Sequence, residues 1–193
     1  MRPLSLPNDD RYTPTAIALH WLIFALVASG FALAVYMVEL PLSPAKLRYF
    51  AWHKWLGVTV FGLALVRLAW RLTHRPPPHA AHFPAWQRRA ASWMHVLLYA
   101  LLVVIPLSGW LYSSAAGVPT VYLGVIALPD LVAKDQVLAE LLKPVHVTLN
   151  YTLLALVVMH VAAALQHHLV ARDDVLRRML PRTGPKKGRI GNA

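Results

Sequence analysis

The sequence predicts an all-α integral membrane protein folded as a four-helix bundle. Three observations predict it. The 193 residues are 58% hydrophobic and only 14% charged, more apolar and less charged than a soluble domain. Four runs, residues 16–38, 49–70, 90–112 and 144–171, are long enough to cross a hydrocarbon layer that needs about 20 residues. Three of these runs contain no Asp, Glu, Lys or Arg, and the second contains only Lys54 and Arg67, one toward each end. The expected organisation is a membrane domain over residues 1–182, with helices at about 14–38, 48–73, 89–112 and 144–170. A basic, disordered cytoplasmic tail over 183–193 follows, suited to anionic lipid headgroups.

The first helix starts at Thr13-Pro14, with Thr as cap and Pro at the first helical position. It is too long for the apolar core of a signal peptide, and no small-residue cleavage site follows it. It stops before Pro41, and residues 39–48 lead to the second helix. That helix ends before Pro76-Pro77-Pro78, which a helix does not continue through. The third contains Pro106, which predicts a kink near Ser108-Gly109. Residues 113–143 form the longest connection, broken by Gly117, Pro119, Gly124 and Pro129, with a short amphipathic surface helix expected over 132–142. All seven tryptophans lie toward helix ends, where interface anchoring is their expected role.

The net charge of +11 raises nucleic acid as a partner, but its distribution argues against that. Thirteen Lys and Arg fall on the side of the termini and of the second connection, and five (Lys46, Arg48, Lys54, Lys134 and Lys143) on the other. Such an asymmetry places both termini in the cytoplasm of a bacterial inner membrane. The chain has no cysteine, which excludes disulfides, thiolate chemistry, iron–sulfur clusters and covalent haem attachment. Histidine must carry any metal chemistry.

Polar groups inside a membrane are functional candidates by default. His146 and His160 are fourteen residues apart in the fourth run. That is nearly four helical turns, so they share a face, about 21 Å apart along the axis. His20 matches the depth of His160 near the cytoplasmic side, and His53 matches His146 near the outer side. Two imidazoles on facing helices form an axial pair for a b haem, and bundle cores house such groups. Two haems are therefore expected, with His20/His160 at the inner and His53/His146 at the outer iron. Zinc fits less well, since it takes four ligands around one point.

Arg67 follows His53 by fourteen residues on the same helix face. It can pair with a propionate of the inner haem, or snorkel to headgroups. Gly30, Gly57 and Gly62 allow a flat macrocycle or a neighbouring helix to approach the backbone. His95 lies near the depth of His20 and His160, as an alternative ligand, a quinone or proton group, or a structural histidine. His167 shares the face of His160 and is a second quinone or proton candidate, while His74, His79, His82 and His168 read as solvated or headgroup-facing.

These residues carry a resemblance. Leu19-His20-Trp21, Trp52-His53-Lys54 with Arg67 and Arg71, and His95 occupy the first three helices. The fourth adds His146, His160 and Ala162-Ala163-Ala164-Leu165-Gln166-His167-His168, then Arg172-Asp173-Asp174-Val175-Leu176-Arg177-Arg178-Met179-Leu180-Pro181. The chain resembles the bacterial cytochrome b561 family, superoxide oxidases included, over about residues 10–182. More distantly it resembles the cytochrome b subunits of membrane hydrogenases and formate dehydrogenases. The resemblance implies two b haems on the pairs named above, electron exchange with ubiquinone and, in superoxide oxidases, oxidation of superoxide to dioxygen.

Two functions compete. One is a superoxide:ubiquinone oxidoreductase, whose outer lysines and arginines attract a small anion. The other is an electron-transfer subunit linking the quinone pool to a partner dehydrogenase or cytochrome. That reading needs a docking surface, and residues 113–143 are the one sizeable candidate. A membrane protein whose histidines are purely structural is the third reading.

Overall fold

The computed structural model describes residues 11–74, 77 and 84–181. The tail over 183–193, together with His79 and His82, lies outside the described residues. Four long helices follow one another: α1 (Pro14–Glu39), α2 (Pro44–Thr73), α3 (Ala85–Ala115) and α4 (Gln136–Gln166). All four are long and apolar enough to cross a membrane.

Local chemistry sets the starts. Thr13 Oγ1 accepts from the Ala16 N–H, Ser43 Oγ from Lys46 and Asp135 Oδ1 from Leu138. Pro14 and Pro44 occupy first-turn positions where a missing N–H costs nothing. At the end of α1, Lys46 Nζ donates to the Val38 and Leu40 carbonyls, which would otherwise be orphaned. α2 ends with the ring of the exposed His74 stacked on Trp70 at 3.8 Å.

Two expected boundaries move. The surface helix over 132–142 is not separate, because α4 begins at Gln136 and runs on through Pro144. Asp135 caps the helix there, and Pro144 removes a single N–H from it. α3 likewise starts at Ala85 and continues through Pro106. The connection after it holds a small antiparallel hairpin that the sequence reading did not anticipate, β1 (Val121–Tyr122) and β2 (Ile126–Ala127). Its loop places both Leu123 and Gly124 at positive φ.

α1 packs on α2, α2 on α3 and α3 on α4, while α1 and α4 barely touch. α1 and α4 are linked instead at the end of the bundle that carries both termini. There α4 widens into a π turn (His167–Ala171), the chain reverses at Arg172 with φ 54°, and a 3-10 turn (Arg177–Met179) runs under α1. Arg11 donates to the Arg177 and Leu180 carbonyls at 2.7 and 2.9 Å, and Trp21 Nε1 to the Met179 carbonyl at 2.7 Å. Trp21, Trp55, Trp70 and Trp110 thus use their indole N–H on protein acceptors. That is a more specific task than marking the interface.

Candidate haem sites

The four histidines in question project from three helices: His20 from α1, His53 from α2, and His146 and His160 from α4. At the end bearing the termini, the His20 and His160 rings lie 6.3 Å apart between centres. Toward the opposite end, which carries the hairpin, His53 and His146 lie 6.4 Å apart. One metal ion bound by two opposed imidazole nitrogens at about 2 Å each separates the ring centres by about 6 Å. Both pairs meet that spacing. Among the described residues, no group of three or more His, Asp or Glu is placed to hold a metal ion by protein ligands alone.

The pair near the hairpin is the better defined. His146 Nδ1 is hydrogen-bonded to Ser108 Oγ at 2.9 Å. Ser108 Oγ also donates to the Ile105 carbonyl at 2.7 Å, so the serine hydrogen is committed and His146 Nδ1–H is the donor to the serine oxygen. That assignment leaves Nε2 as the coordinating nitrogen. The His146 ring lies against Gly109, where a Cβ would come within 2.9 Å of its Cε1. Across the pair, His53 Nδ1 is buried without a hydrogen bond of normal geometry, the Gly30 backbone being the group that interacts with it. The two rings face a cleft of about 500 Å³, its mouth included, lined also by Gly30, Gly57, Pro106 and Asn150. A Cβ at Gly30 or Gly57 would meet nothing within 4 Å. These glycines open space beside two opposed imidazoles, which is what a flat macrocycle requires.

The pair near the termini has a third histidine beside it. His95 on α3 lies 5.4 Å from His160, and its Nδ1 is bonded to the Ala91 carbonyl at 2.7 Å. Arg67 reaches the same level from α2. It donates through Nε to the Tyr99 hydroxyl at 3.0 Å and through Nη1 to the Ala16 carbonyl, one turn from His20. Arg71 lies over the other part of the Tyr99 ring, at 5.7 Å. Arg11, Arg67 and Arg71 share a cleft of about 420 Å³ with Trp70 and Tyr99. Arg67 has no carboxylate partner among the described residues.

His167 Nδ1 is hydrogen-bonded to Asp173 Oδ2 at 2.6 Å, both side chains being largely covered. The second carboxylate oxygen accepts from the Val175 N–H at 3.1 Å. The sequence reading takes Ser108 and Gly109 only as a kink and Asp173 only as part of the resemblance, and it passes over Tyr99. A Ser-Gly step in an apolar helix was the available signal for the first two. Asp173 depends on the left-handed turn at Arg172, which nothing in the sequence announces.

A family model for prokaryotic cytochrome b561 matches residues 11–182, the whole bundle and the turn beneath it. The chain belongs to the prokaryotic cytochrome b561 family. It is 32% identical to cytochrome b561 homolog 2 of Escherichia coli K12, over 94% of this chain and 97% of that protein. It is also 32% identical to cytochrome b561 homolog 1 of the same organism, over 90% and 98%. A protein named probable superoxide oxidase CybB, from Yersinia pestis, is 27% identical over 89% and 97%. A prokaryotic cytochrome b561 is a multi-pass membrane electron-transfer protein that holds haem b, and the opposed histidines of this chain suit that group.

Proposed function

We propose that the protein is a dihaem cytochrome b that oxidises superoxide to dioxygen at the hairpin end and delivers the electrons to ubiquinone at the end bearing the termini. The balance is two superoxide anions giving two dioxygen molecules, while one quinone takes up two electrons and two protons. The observation that supports it most is the pair of opposed imidazoles at each end of the bundle, at 6.3 and 6.4 Å. His20 with His160, and His53 with His146, would hold the two irons. Haem iron supplies one-electron chemistry when bound.

The remaining work falls to other side chains. Ser108 and Gly109 hold the His146 ring in one orientation. Arg67, with Arg71 and Tyr99 beside it, would neutralise an acidic edge of the group between His20 and His160. His95 and His167, the latter held by Asp173, would move protons to the quinone, since an imidazole can release a proton at one nitrogen and take one up at the other. At the opposite end, Lys46, Arg48, Lys134 and Lys143 form a cationic rim that favours a small anion, with Lys54 set deeper on the Val118 and Pro119 carbonyls. The inner bacterial membrane, with both termini cytoplasmic, follows from the Lys/Arg asymmetry.

The second reading, an electron-transfer subunit serving the quinone pool and a protein partner, draws on the relatives at 32% identity, whose names state no donor. A reduced-minus-oxidised spectrum with haem quantitation tests the haem count, and two per chain is the expected value. Stopped-flow mixing with superoxide, with and without quinone, then separates the readings. Haem that stays oxidised in superoxide would leave the subunit reading standing.

A further inference from the structure

The hairpin between α3 and α4 sits lower on the bundle than a surface loop should. The Trp55 indole N–H donates to the Val121 carbonyl at 2.7 Å, and Thr59 Oγ1 is bonded to the Tyr122 hydroxyl at 3.0 Å. Arg71 marks the charged end of α2 on the side of the termini. From Arg71, Trp55 is about 24 Å and Thr59 about 18 Å along the helix axis at 1.5 Å per residue. A hydrocarbon layer is about 30 Å thick. The hairpin contacts therefore fall inside that layer, roughly 6–12 Å below its far edge. Taking Arg67 as the edge instead places them deeper still.

Its composition suits that position, and part of its backbone is hydrogen-bonded within the protein. Residues 113–129 contain no charged side chain. The tip exposes apolar groups: Val125 is 82% exposed, and Leu123 and Ile126 more than half. In water such a patch is a liability, whereas against acyl chains it continues the lipid-facing surface of the helices. Backbone groups in hydrocarbon must be satisfied from within the protein. Here Gly124 N–H donates to Val121, Val125 to Tyr122 and Leu128 to Thr120. Lys54 Nζ donates to the Val118 and Pro119 carbonyls, and the Trp110 indole to Pro129. The Tyr122 hydroxyl is likewise used, on Thr59.

We propose that residues 118–128 are a re-entrant hairpin, embedded among the acyl chains of the leaflet at that end of the bundle and covering α2 just beyond His53. The consequence bears on function. The segment that would have been the docking surface for a redox partner is occupied by lipid. A protein donor is then left with the narrower rim formed by residues 40–48 and 130–143.

The chain has no cysteine, so Val125→Cys gives a single attachment point for a nitroxide label. Leu42→Cys, in the α1–α2 connection and 85% exposed, is the reference. It precedes Pro44, the first residue of α2, which lies about 40 Å along the helix from Arg71, beyond the hydrocarbon. In the full haem-loaded protein in phospholipid vesicles, collision with oxygen, which partitions into lipid, is compared with collision with a water-soluble nickel chelate. The expected oxygen-to-nickel ratio is several-fold higher at 125 than at 42, and Ile126→Cys should agree with Val125→Cys. Nickel collisions at 125 matching those at 42 overturn the proposal in favour of water. Low collision with both agents overturns it in favour of a protein cover.

Discussion

At the scale of single residues, the four histidines fall into two pairs, and on the proposed function each pair holds its own haem. His146→Ala should lower bound haem from two per chain to one and leave the signal of the other site intact, and His160→Ala should do the converse. Haem quantitation with low-temperature spectra reads both. Gly109→Ala is a finer probe. A Cβ there comes within 2.9 Å of the His146 ring, and overpacking of this kind costs about 1–3 kcal/mol. The expected result is a shifted or broadened signal from the haem near the hairpin, with the other unchanged. His95→Ala and His167→Ala should slow quinone reduction by roughly a hundredfold, within the range for general acid–base groups, without loss of either haem signal. Loss of a haem in either variant would reassign the ligands. The spacing of His146 and His160 and the depths of His20 and His53 were legible because helical rise is constant. Asp173, Ser108 and Gly109 were not, because their roles depend on which surfaces meet.

At the scale of elements, α4 does more than any other helix, contributing one histidine to each pair and so setting the separation of the sites at about 21 Å. Its early start at Gln136 carries it beyond His146 toward the cationic rim. That rim is expected to act through its field. Neutralising Lys46, Arg48 and Lys54 together should lower the rate of haem reduction by superoxide and flatten its dependence on salt, since exposed charges are screened over about 8 Å at physiological ionic strength. Stopped-flow rates across a salt series measure both, and an unchanged slope removes the steering argument. Lys46 and Lys54 also hold backbone carbonyls, so Arg48→Gln alone is the informative partial variant. The hairpin was not legible at this scale. Two-residue strands carry too little alternation to read, and Leu123 at positive φ is not a residue that signals a turn.

At the scale of the whole molecule, two histidine pairs lie at opposite ends of a bundle whose termini share one end. The Arg11 and Trp21 hydrogen bonds to residues 177–180 tie those termini together and bridge the flank where α1 and α4 barely touch. On the proposed orientation, which rests on the Lys/Arg asymmetry, that end faces the cytoplasm. A C-terminal reporter enzyme should therefore be active only when it is a cytoplasmic type, and activity of a periplasmic type would reverse the assignment. Arg11→Ala should loosen residues 173–180, read as faster backbone hydrogen exchange there, while both haems stay bound.

The sequence by itself determined the class, the number of spans, the absence of thiol chemistry and the histidines available at each depth. These follow from composition and from a helical rise that does not depend on context. Tertiary structure alone decided which helix faces meet: the 6.3 and 6.4 Å imidazole spacings, the Gly109 contact, the His167–Asp173 hydrogen bond and the seat of the hairpin on α2. In a chain this uniformly apolar, hydrophobic periodicity barely distinguishes a lipid-facing side from a core-facing one. The rotation of each helix is then set by packing and by a few hydrogen bonds between residues far apart in sequence.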